Sequence, residues 1–333
     1  MPVRILTGHD VERLLPMEAC IAAMEDVLAS LARGQAVQPL RSVLRLPDGK
    51  GAFGVMPGQV SKPNAFGIKV ITVFPGNEGT KYDSHQGAVL LFEPEHGTIV
   101  AVMDAASVTG IRTAAVSGVA TRLLAKEDAG DLAILGSGVQ GKSHLEAMRA
   151  VRKLRRVRVW SRNEANGRAF VEWAGQRFGI EAEPMKTVRE AVKDADIICT
   201  CTSSGEPILA GEWLTPGTHV NVVGSSIPTK REIDAEAVRR SRLFTDRMES
   251  ALNEAGDFLL ARKEGVVDDS HILGEIGELL IGTKAGRTSD GDITMFKSLG
   301  LAVEDVASAH VVWNEAERRN AGTLVELGGI RES

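Results

Sequence analysis

Apolar positions along the chain follow two regimes. Between residues 7 and 35, Val11, Leu14, Leu15, Ile21, Met24, Leu28 and Leu31 recur near a period of 3.6, which predicts a helix with one buried face. Alternation follows. The run 37-VQPLRSVLRLPDGKGAFGVMPG-58 alternates polar and apolar residues and is broken by D-G and P-G, so it predicts a strand pair. The segments 66-FGIKVITVFPG-76 and 86-QGAVLLFEPEHGTIVAVMDA-105 predict further strands joined by turns. The first third is thus expected to be a strand-rich unit opened by a helix.

After Gly110 the pattern changes. The Ala-rich run 111-IRTAAVSGVATRLLAKEDA-129 predicts a helix. Short apolar strands then alternate with helical stretches: LAILG, VRVWS, ADIICTCT, HVNVVGSS and RLFTD. This alternation predicts an α/β fold with a doubly wound parallel sheet. The segment 296-FKSLGLAVEDVASAHVVWNEAERR-319 reads as one long closing helix that can pack back on the first unit. The expected division is residues 1–117 with 313–333 as a substrate-binding and dimerisation domain of α+β type, and 118–312 as a dinucleotide-binding domain of Rossmann type.

Composition narrows the class. A chain of 333 residues, 43% hydrophobic and 25% charged, is an ordinary globular composition with room for two domains. A formal charge of -5 argues against non-specific nucleic-acid binding. No apolar run approaches the roughly 18 residues of a membrane span, and MPVRILTGHDVERLLPMEAC lacks the apolar core of a signal peptide. Cys20, Cys199 and Cys201 have no ligand partners at zinc-binding spacing, so no metal is expected; they read as buried small hydrophobes suited to a reducing cytoplasm.

The most informative stretch is 132-LAILGSGVQGKSHLEAM-148. It closes a strand and opens a helix, as a dinucleotide-binding turn does. Gly136 permits the tight turn, Gly138 lets backbone approach a pyrophosphate, and Gly141 lets helix pack on strand, with Val139 and Gln140 between them. The helix N-terminus then offers N–H groups to the anion. One strand later the chain reads Ser161-Arg162-Asn163, with no acid at the strand end to bind the ribose 2′-OH of NAD. Arg162 suits the 2′-phosphate of NADP, although a solvated surface arginine would read the same.

Three cations stand out in the first unit: Arg41 in QPLRSVL, Lys69 interrupting the apolar strand FGIKVIT, and Arg112 in TGIRTAA at the start of the Ala-rich helix. A buried cation is costly unless something negative meets it, and a substrate carboxylate would do so. Each could equally be ion-paired or reach solvent. His85, in YDSHQGAVL, is either a ligand contact or a surface turn residue.

With these residues in place, the sequence resembles the ornithine cyclodeaminase/mu-crystallin family along nearly its whole length. The runs VQPLR, GVMPG, FGIKV, DSHQGAVLLFEPEHGTIVAVMDA, TGIRTAAVSGVA, LGSGVQG, EPILAGEWLTPGTHVNVVGSSIPTKREID and DITMFKSLGLAVED carry the resemblance. It implies that Arg41, Lys69 and Arg112 hold the substrate's carboxylate and its imine or amine end. It places Ser84 and His85 near the nicotinamide. Ser161, Arg162, Asn163 and Asn166 would lie on an NADPH-binding segment, Thr202 and Val223 would line the cofactor, and the run from Phe296 to Gly300 would close over it. The family implies a homodimer joined through strands of the substrate domain. One departure matters. The family's cyclodeaminases and archaeal alanine dehydrogenases carry aspartate where Ser226 stands in 224-GSSIPTK-230, whereas the mu-crystallin branch has serine.

Together these readings predict an NADPH-dependent ketimine reductase, NADH remaining possible, that turns a cyclic or linear 2-imino carboxylate into the L-amino acid. Δ1-pyrroline-2-carboxylate and Δ1-piperideine-2-carboxylate are the candidate substrates. Arg41 and Arg112 would anchor the carboxylate. Lys69, with a lowered pKa, or an ordered water would protonate the imine nitrogen, and Ser226 and His85 would orient water. Met56 and Ile227 are candidates for the apolar lining. The alternatives are an ornithine cyclodeaminase or alanine-type dehydrogenase, and a protein that binds NADPH or a small ligand without turnover.

Overall fold

The computed structural model describes residues 2–77 and 79–328; the last five residues of the expected substrate domain lie outside them. In chain order the elements are β1 (Val3–Leu6), α1 (Gly8–Leu14), α2 (Met17–Ala32), β2 (Ala36–Val37), β3 (Ser42–Arg45), β4 (Ala52–Val60), β5 (Ala65–Val73), β6 (His85–Phe92), β7 (Ile99–Asp104) and α3 (Ala105–Leu124). There follow β8 (Asp131–Leu135), α4 (Val139–Val151), β9 (Arg156–Trp160), α5 (Glu164–Phe178), β10 (Ala182–Met185), α6 (Val188–Val192), β11 (Ile197–Thr200) and β12 (His219–Val222). The chain continues through α7 (Ala235–Arg240), β13 (Arg242–Thr245), α8 (Met248–Glu254), α9 (Gly256–Lys263), β14 (Ile272–Glu275), α10 (Ile276–Leu280), β15 (Thr294–Lys297), α11 (Ala302–Arg319) and β16 (Thr323–Val325).

Two compact units result. One takes the residues up to Arg112 and those from Gly300 onward; the other is Thr113–Leu299. These changeovers differ from the expected 118 and 313. The second moves because the whole of α11 packs in the first unit: a Cβ on Gly58 of β4 would lie 3.1 Å from Ala302, and one on Gly67 of β5 would lie 3.3 Å from Val306 Cγ2.

In the first unit the sheet runs β16-β1-β7-β6-β5-β4-β2, with β3 paired to β4. Its pairings are antiparallel except β1 with β7. Along β5 the buried positions are Ala65, Gly67, Lys69 and Ile71, so the strand's pleat puts Lys69 on the face that carries the core. The predicted opening helix is two helices. Pro16 has no N–H to continue the first, and it becomes the N-cap of α2. Thr7 caps α1 reciprocally with Asp10: Asp10 N donates to Thr7 Oγ1 at 3.2 Å and Thr7 N to Asp10 Oδ2 at 3.1 Å. α2 buries Met17, Cys20, Ile21, Met24, Leu28 and Leu31, the stripe that the 3.6 period predicts.

The second unit holds a parallel sheet in the order β10-β9-β8-β11-β12-β15-β13-β14. Strand order reverses between β8 and β11, which opens a crevice at their carboxyl ends. Two sequence expectations are corrected here. α3 starts at Ala105, so Arg112 lies inside the helix rather than at its start; Ser107 N donates to Asp104 Oδ1 at 2.7 Å, which caps the earlier start. The closing pattern 296–319 also divides. Residues 294–297 form β15 between β12 and β13, and Gly300 at φ 79 turns the chain before α11. Among the described residues no helix is long and apolar enough to cross a membrane.

Gly67 gives a test of the β5/α11 packing. A Cβ there would come 2.5 Å from Leu90 O as well as meeting Val306. Gly67→Ala is expected to cost about 1–3 kcal/mol of stability in urea unfolding followed by circular dichroism.

Candidate functional site

The glycine turn in the second unit is shaped by steric necessity. A Cβ on Gly136, which sits at φ 118, would collide with Cys201 O, and one on Gly141 would collide with Gly136 O. The turn therefore closes only with glycine at both positions. Gly138 is different: a Cβ there meets nothing within 4 Å. It is the N-cap of α4 and supplies no side-chain hydrogen bond to the helix N-terminus. The first N–H groups of α4 thus have no side-chain cap and carry a partial positive charge, as an anion site requires. Beside them Gln140 Oε1 is buried with no hydrogen-bond partner among the described residues, and Val139 is exposed. These features fit a dinucleotide pyrophosphate.

His144 locks the first turn of α4. Burial pushes its pKa down to about 4, so the ring is neutral. Nδ1–H then donates to Gln140 O at 2.7 Å, and Nε2 accepts from Ser117 Oγ at 2.9 Å. Ser137 Oγ donates to Ser161 Oγ at 2.8 Å and ties the turn to the end of β9. Arg162, Asn163 and Asn166 are exposed there. Asn163 also has a local task as the N-cap of α5, accepting from Ala165 N at 2.9 Å.

Thr202 and Val223 follow β11 and β12, and a residue that sequence reasoning missed holds these strand ends together. Glu232, fully buried, accepts from Thr200 Oγ1 (2.6 Å), Thr202 N (2.7 Å), Thr202 Oγ1 (2.6 Å) and Gly224 N (2.7 Å). Burial nevertheless raises its carboxyl above the usual range. Asp257 Oδ1 accepts from Glu232 N at 2.8 Å, and Asp257 Oδ2 pairs with Lys297 Nζ at 2.7 Å. Lys297 also donates to Ser225 O at 2.5 Å. Ser226, on the same loop, is exposed, and among the described residues no carboxylate or histidine is hydrogen-bonded to its hydroxyl. Lys297 was legible in principle: a lone cation in the apolar strand TMFKSL is the signal that singled out Lys69.

The cations of the first unit form a buried cluster. Lys69 Nζ pairs with Asp305 Oδ2 at 2.7 Å and donates to Thr109 Oγ1 at 3.3 Å. Arg112 Nε donates to Asp305 Oδ1 at 2.9 Å, and Arg112 Nη1 to Glu304 Oε2 at 2.8 Å. Lys69, Arg112, Glu304 and Asp305 are all nearly inaccessible. Both acids lie in the first turn of α11, where the helix dipole favours negative charge. Arg41 is half-buried and donates through Nη2 to Gly300 O at 2.9 Å. A Cβ on Gly300 would collide with the Arg112 guanidinium, so glycine is required where the backbone passes.

Of the readings left open for these cations, Lys69 and Arg112 take the ion-paired one, with Asp305 and Glu304 as partners. The signal for them was an acid pair inside the otherwise apolar LGLAVEDVASA. Desolvation lowers the Lys69 pKa to about 8; the Asp305 charge opposes the shift, and Arg112 and Arg41 add to it. Ser84 Oγ and His85 Nδ1 are 3.0 Å apart at the exposed start of β6. Desolvation and the Lys69 charge hold the His85 imidazole below the usual range. Met56 is buried on β4 opposite Lys69, whereas Ile227 lies half-buried in the second unit. Among the described residues no group of three or more His, Cys, Asp or Glu could hold a metal ion.

Comparison with known proteins places this geometry. The ornithine cyclodeaminase/mu-crystallin family matches residues 2–320. The ketimine reductase mu-crystallin of Mus musculus is 39% identical over 313 residues, 93% of this chain and 96% of the relative. A Delta(1)-pyrroline-2-carboxylate reductase of Bacillus cereus is 34% identical over 324 residues, 97% of this chain and 99% of the relative. The solved structure of Thermococcus litoralis Delta(1)-pyrroline-2-carboxylate reductase with NADH and L-proline superposes with a TM-score of 0.94 at 36% identity, covering 96% of this chain and 99% of that one. An archaeal alanine dehydrogenase dimer with bound NAD gives a TM-score of 0.93 at 33% identity, covering 98% and 100%.

The turn geometry separates two glycine substitutions. Gly138→Ala is expected to leave the melting temperature within a degree or two while weakening dinucleotide binding roughly tenfold or more, because its methyl enters the space that the pyrophosphate would use. Gly141→Ala is expected to lower the melting temperature itself. Differential scanning calorimetry and cofactor titration by calorimetry distinguish the two.

Proposed function

The chain belongs to the ornithine cyclodeaminase/mu-crystallin family, and from that premise we propose that it reduces a 2-imino carboxylate such as Δ1-pyrroline-2-carboxylate or Δ1-piperideine-2-carboxylate to the L-amino acid, with NADPH as the preferred cofactor. The observation that carries this reading is the buried Lys69 ammonium. It is ion-paired with Asp305 at 2.7 Å and donates to Thr109 at 3.3 Å, and its pKa is brought to about 8. An N–H not donated to Thr109 then protonates an imine nitrogen. A bound nicotinamide supplies the hydride that forms the new C–H bond.

The chain's own residues do the rest. Arg41, half-buried and turned by Gly300 O, presents a guanidinium to the substrate carboxylate. Arg112, immobilised by two carboxylates, adds positive potential at a fixed place. The cyclic imine is thereby oriented before the proton moves. Protonation breaks a Lys69 Nζ–H bond and forms an N–H bond on the imine, and the neutral amine regains its proton from solvent. Loss of that proton does not isolate Asp305, because Arg112 still pairs with it. His85, whose pKa desolvation and the Lys69 charge hold below the usual range, donates or accepts a hydrogen bond. Among the described residues no carboxylate or histidine is hydrogen-bonded to Ser226, which favours reduction over a reaction needing a carboxylate at that position. NADPH preference rests on Arg162 and Ser161 at the end of β9 and on the absence of an acid among residues 161–163. Dimerisation of this chain is proposed by analogy with the archaeal alanine dehydrogenase dimer.

The test is a panel of both cyclic imines, imines of linear 2-oxo acids, and alanine and ornithine, each with NADPH and NADH, followed at the absorbance of the reduced cofactor. Reduction of a cyclic imine, faster with NADPH, is expected. Ammonia release from ornithine or cofactor reduction by alanine as the main activity overturns the substrate claim, and an NADH preference overturns the cofactor claim. Lys69→Ala is expected to lower kcat about 10²–10⁴-fold. The sign of the pH dependence follows from the acid role. Lys69 carries its proton below a pKa of about 8, so kcat for reduction holds below that pH and falls as pH rises through it.

A further inference from the structure

The geometry points to Asp305 as a positioning residue for the reaction: its carboxylate, shared between Lys69 and Arg112 through different oxygens, aims the Lys69 ammonium and keeps it protonated at working pH. This rests on the reading of Lys69 as proton donor. The two pairings run from Oδ2 to Lys69 Nζ at 2.7 Å and from Oδ1 to Arg112 Nε at 2.9 Å, so the plane of the carboxylate is fixed from both ends. Its backbone is equally constrained. Asp305 lies in the first turn of α11, whose start is closed by Leu301 N donating to Glu304 Oε2 at 3.0 Å. Lys69 leaves the middle of β5, and Thr109 Oγ1 on α3 takes one of its donors. An ion pair from one helix and a hydrogen bond from another thus hold the ammonium in place.

The groups that bias the Lys69 charge come from every side. Asp305, backed by Glu304, faces it from α11. Arg112 faces it from α3, Arg41 from the segment before β3, and His85 from the start of β6. β4 contributes the uncharged Met56 opposite it. Asp305 alone among these both favours the ammonium and touches it. Burial and the two arginines act the other way, and they would empty the site of its proton without the carboxylate.

Asp305→Asn keeps the shape and removes the charge. Its expected effect is a downward shift of the basic limb of the kcat profile by about one pH unit or more. At pH 8 the rate should then fall roughly tenfold or more relative to wild type, with a smaller loss at pH 6 and little change in KM. A melting temperature that falls while the limb stays in place overturns the proposal. A second measurement does not depend on turnover: the Lys69 side-chain amine is titrated by NMR in 15N-lysine protein, its signal assigned through Lys69→Arg. A midpoint near 8 in wild type that moves down in Asp305→Asn supports the coupling, and an unmoved midpoint overturns it. Should wild type reduce no imine, the functional reading fails while this titration still decides the coupling. If Asp305→Asn does not fold, Asp305→Glu serves. It displaces the carboxylate by one methylene and is expected to lower kcat roughly tenfold with KM and the basic limb retained; an unchanged kcat overturns the aiming role.

Discussion

An ammonium buried on a β-strand is the constraint around which the first unit is arranged. Lys69 occupies a core-facing position of β5 between Gly67 and Ile71, where desolvation disfavours its charge. Removing one partner from such a buried pair typically costs about 3–5 kcal/mol. Holding it therefore demands a carboxylate at a fixed place, and α11 provides one in its first turn. That requirement propagates. The helix comes close to the sheet where Gly58 and Gly67 carry no side chains, and the chain passes Arg112 where Gly300 is glycine at a positive φ. The glycines and the charges are one design seen from two sides.

The second unit solves a related problem with opposite polarity. There a fully buried carboxylate, Glu232, gathers donors from the ends of β11 and β12, and a Lys297–Asp257 pair anchors the loop that follows. Buried carboxylates of this kind contribute little net stability compared with apolar packing, but every donor they collect has its position defined. The loop from Gly224 to Lys230 is thus fixed at its base and exposed at Ser226. An exposed serine with a rigid base suits contact with a ligand better than activation as a nucleophile or base.

Much of this was legible in the sequence, for physical reasons that also explain what was not. Period 3.6 and period 2 located α2, β4, β5 and β6, since each has one buried face. The parallel strands appeared as short apolar runs, and LGSGVQG was readable because backbone sterics dictate glycine there. Lys69 was visible as a cation interrupting such a run. Its partner was not, because Asp305 is 236 positions away and an acid pair in a helix's first turn also serves as an ordinary cap. Two boundaries misled for a common reason. Asp104 moves the start of α3 forward, and Gly300 delays α11 behind a buried strand; in both places one residue's local geometry overrides a periodicity that runs on through it.

The two units leave different room for change among relatives. The turn at Gly136 to Gly141 is specified by collisions with Cys201 O and Gly136 O, which no change of substrate relieves. The proposed cofactor preference rests on a few exposed side chains at the end of β9, of which Asn163 is also held by its cap on α5. NADH in the Thermococcus litoralis reductase and NAD in the archaeal alanine dehydrogenase are thus compatible with a shared cradle. The Lys69–Asp305–Arg112–Glu304 cluster has no such freedom, because changing any member leaves a buried charge unmatched. Substrate range is accordingly expected to vary through residues around the cluster, of which Met56 on the neighbouring strand is the nearest in register, and through Arg41, which is only half-buried.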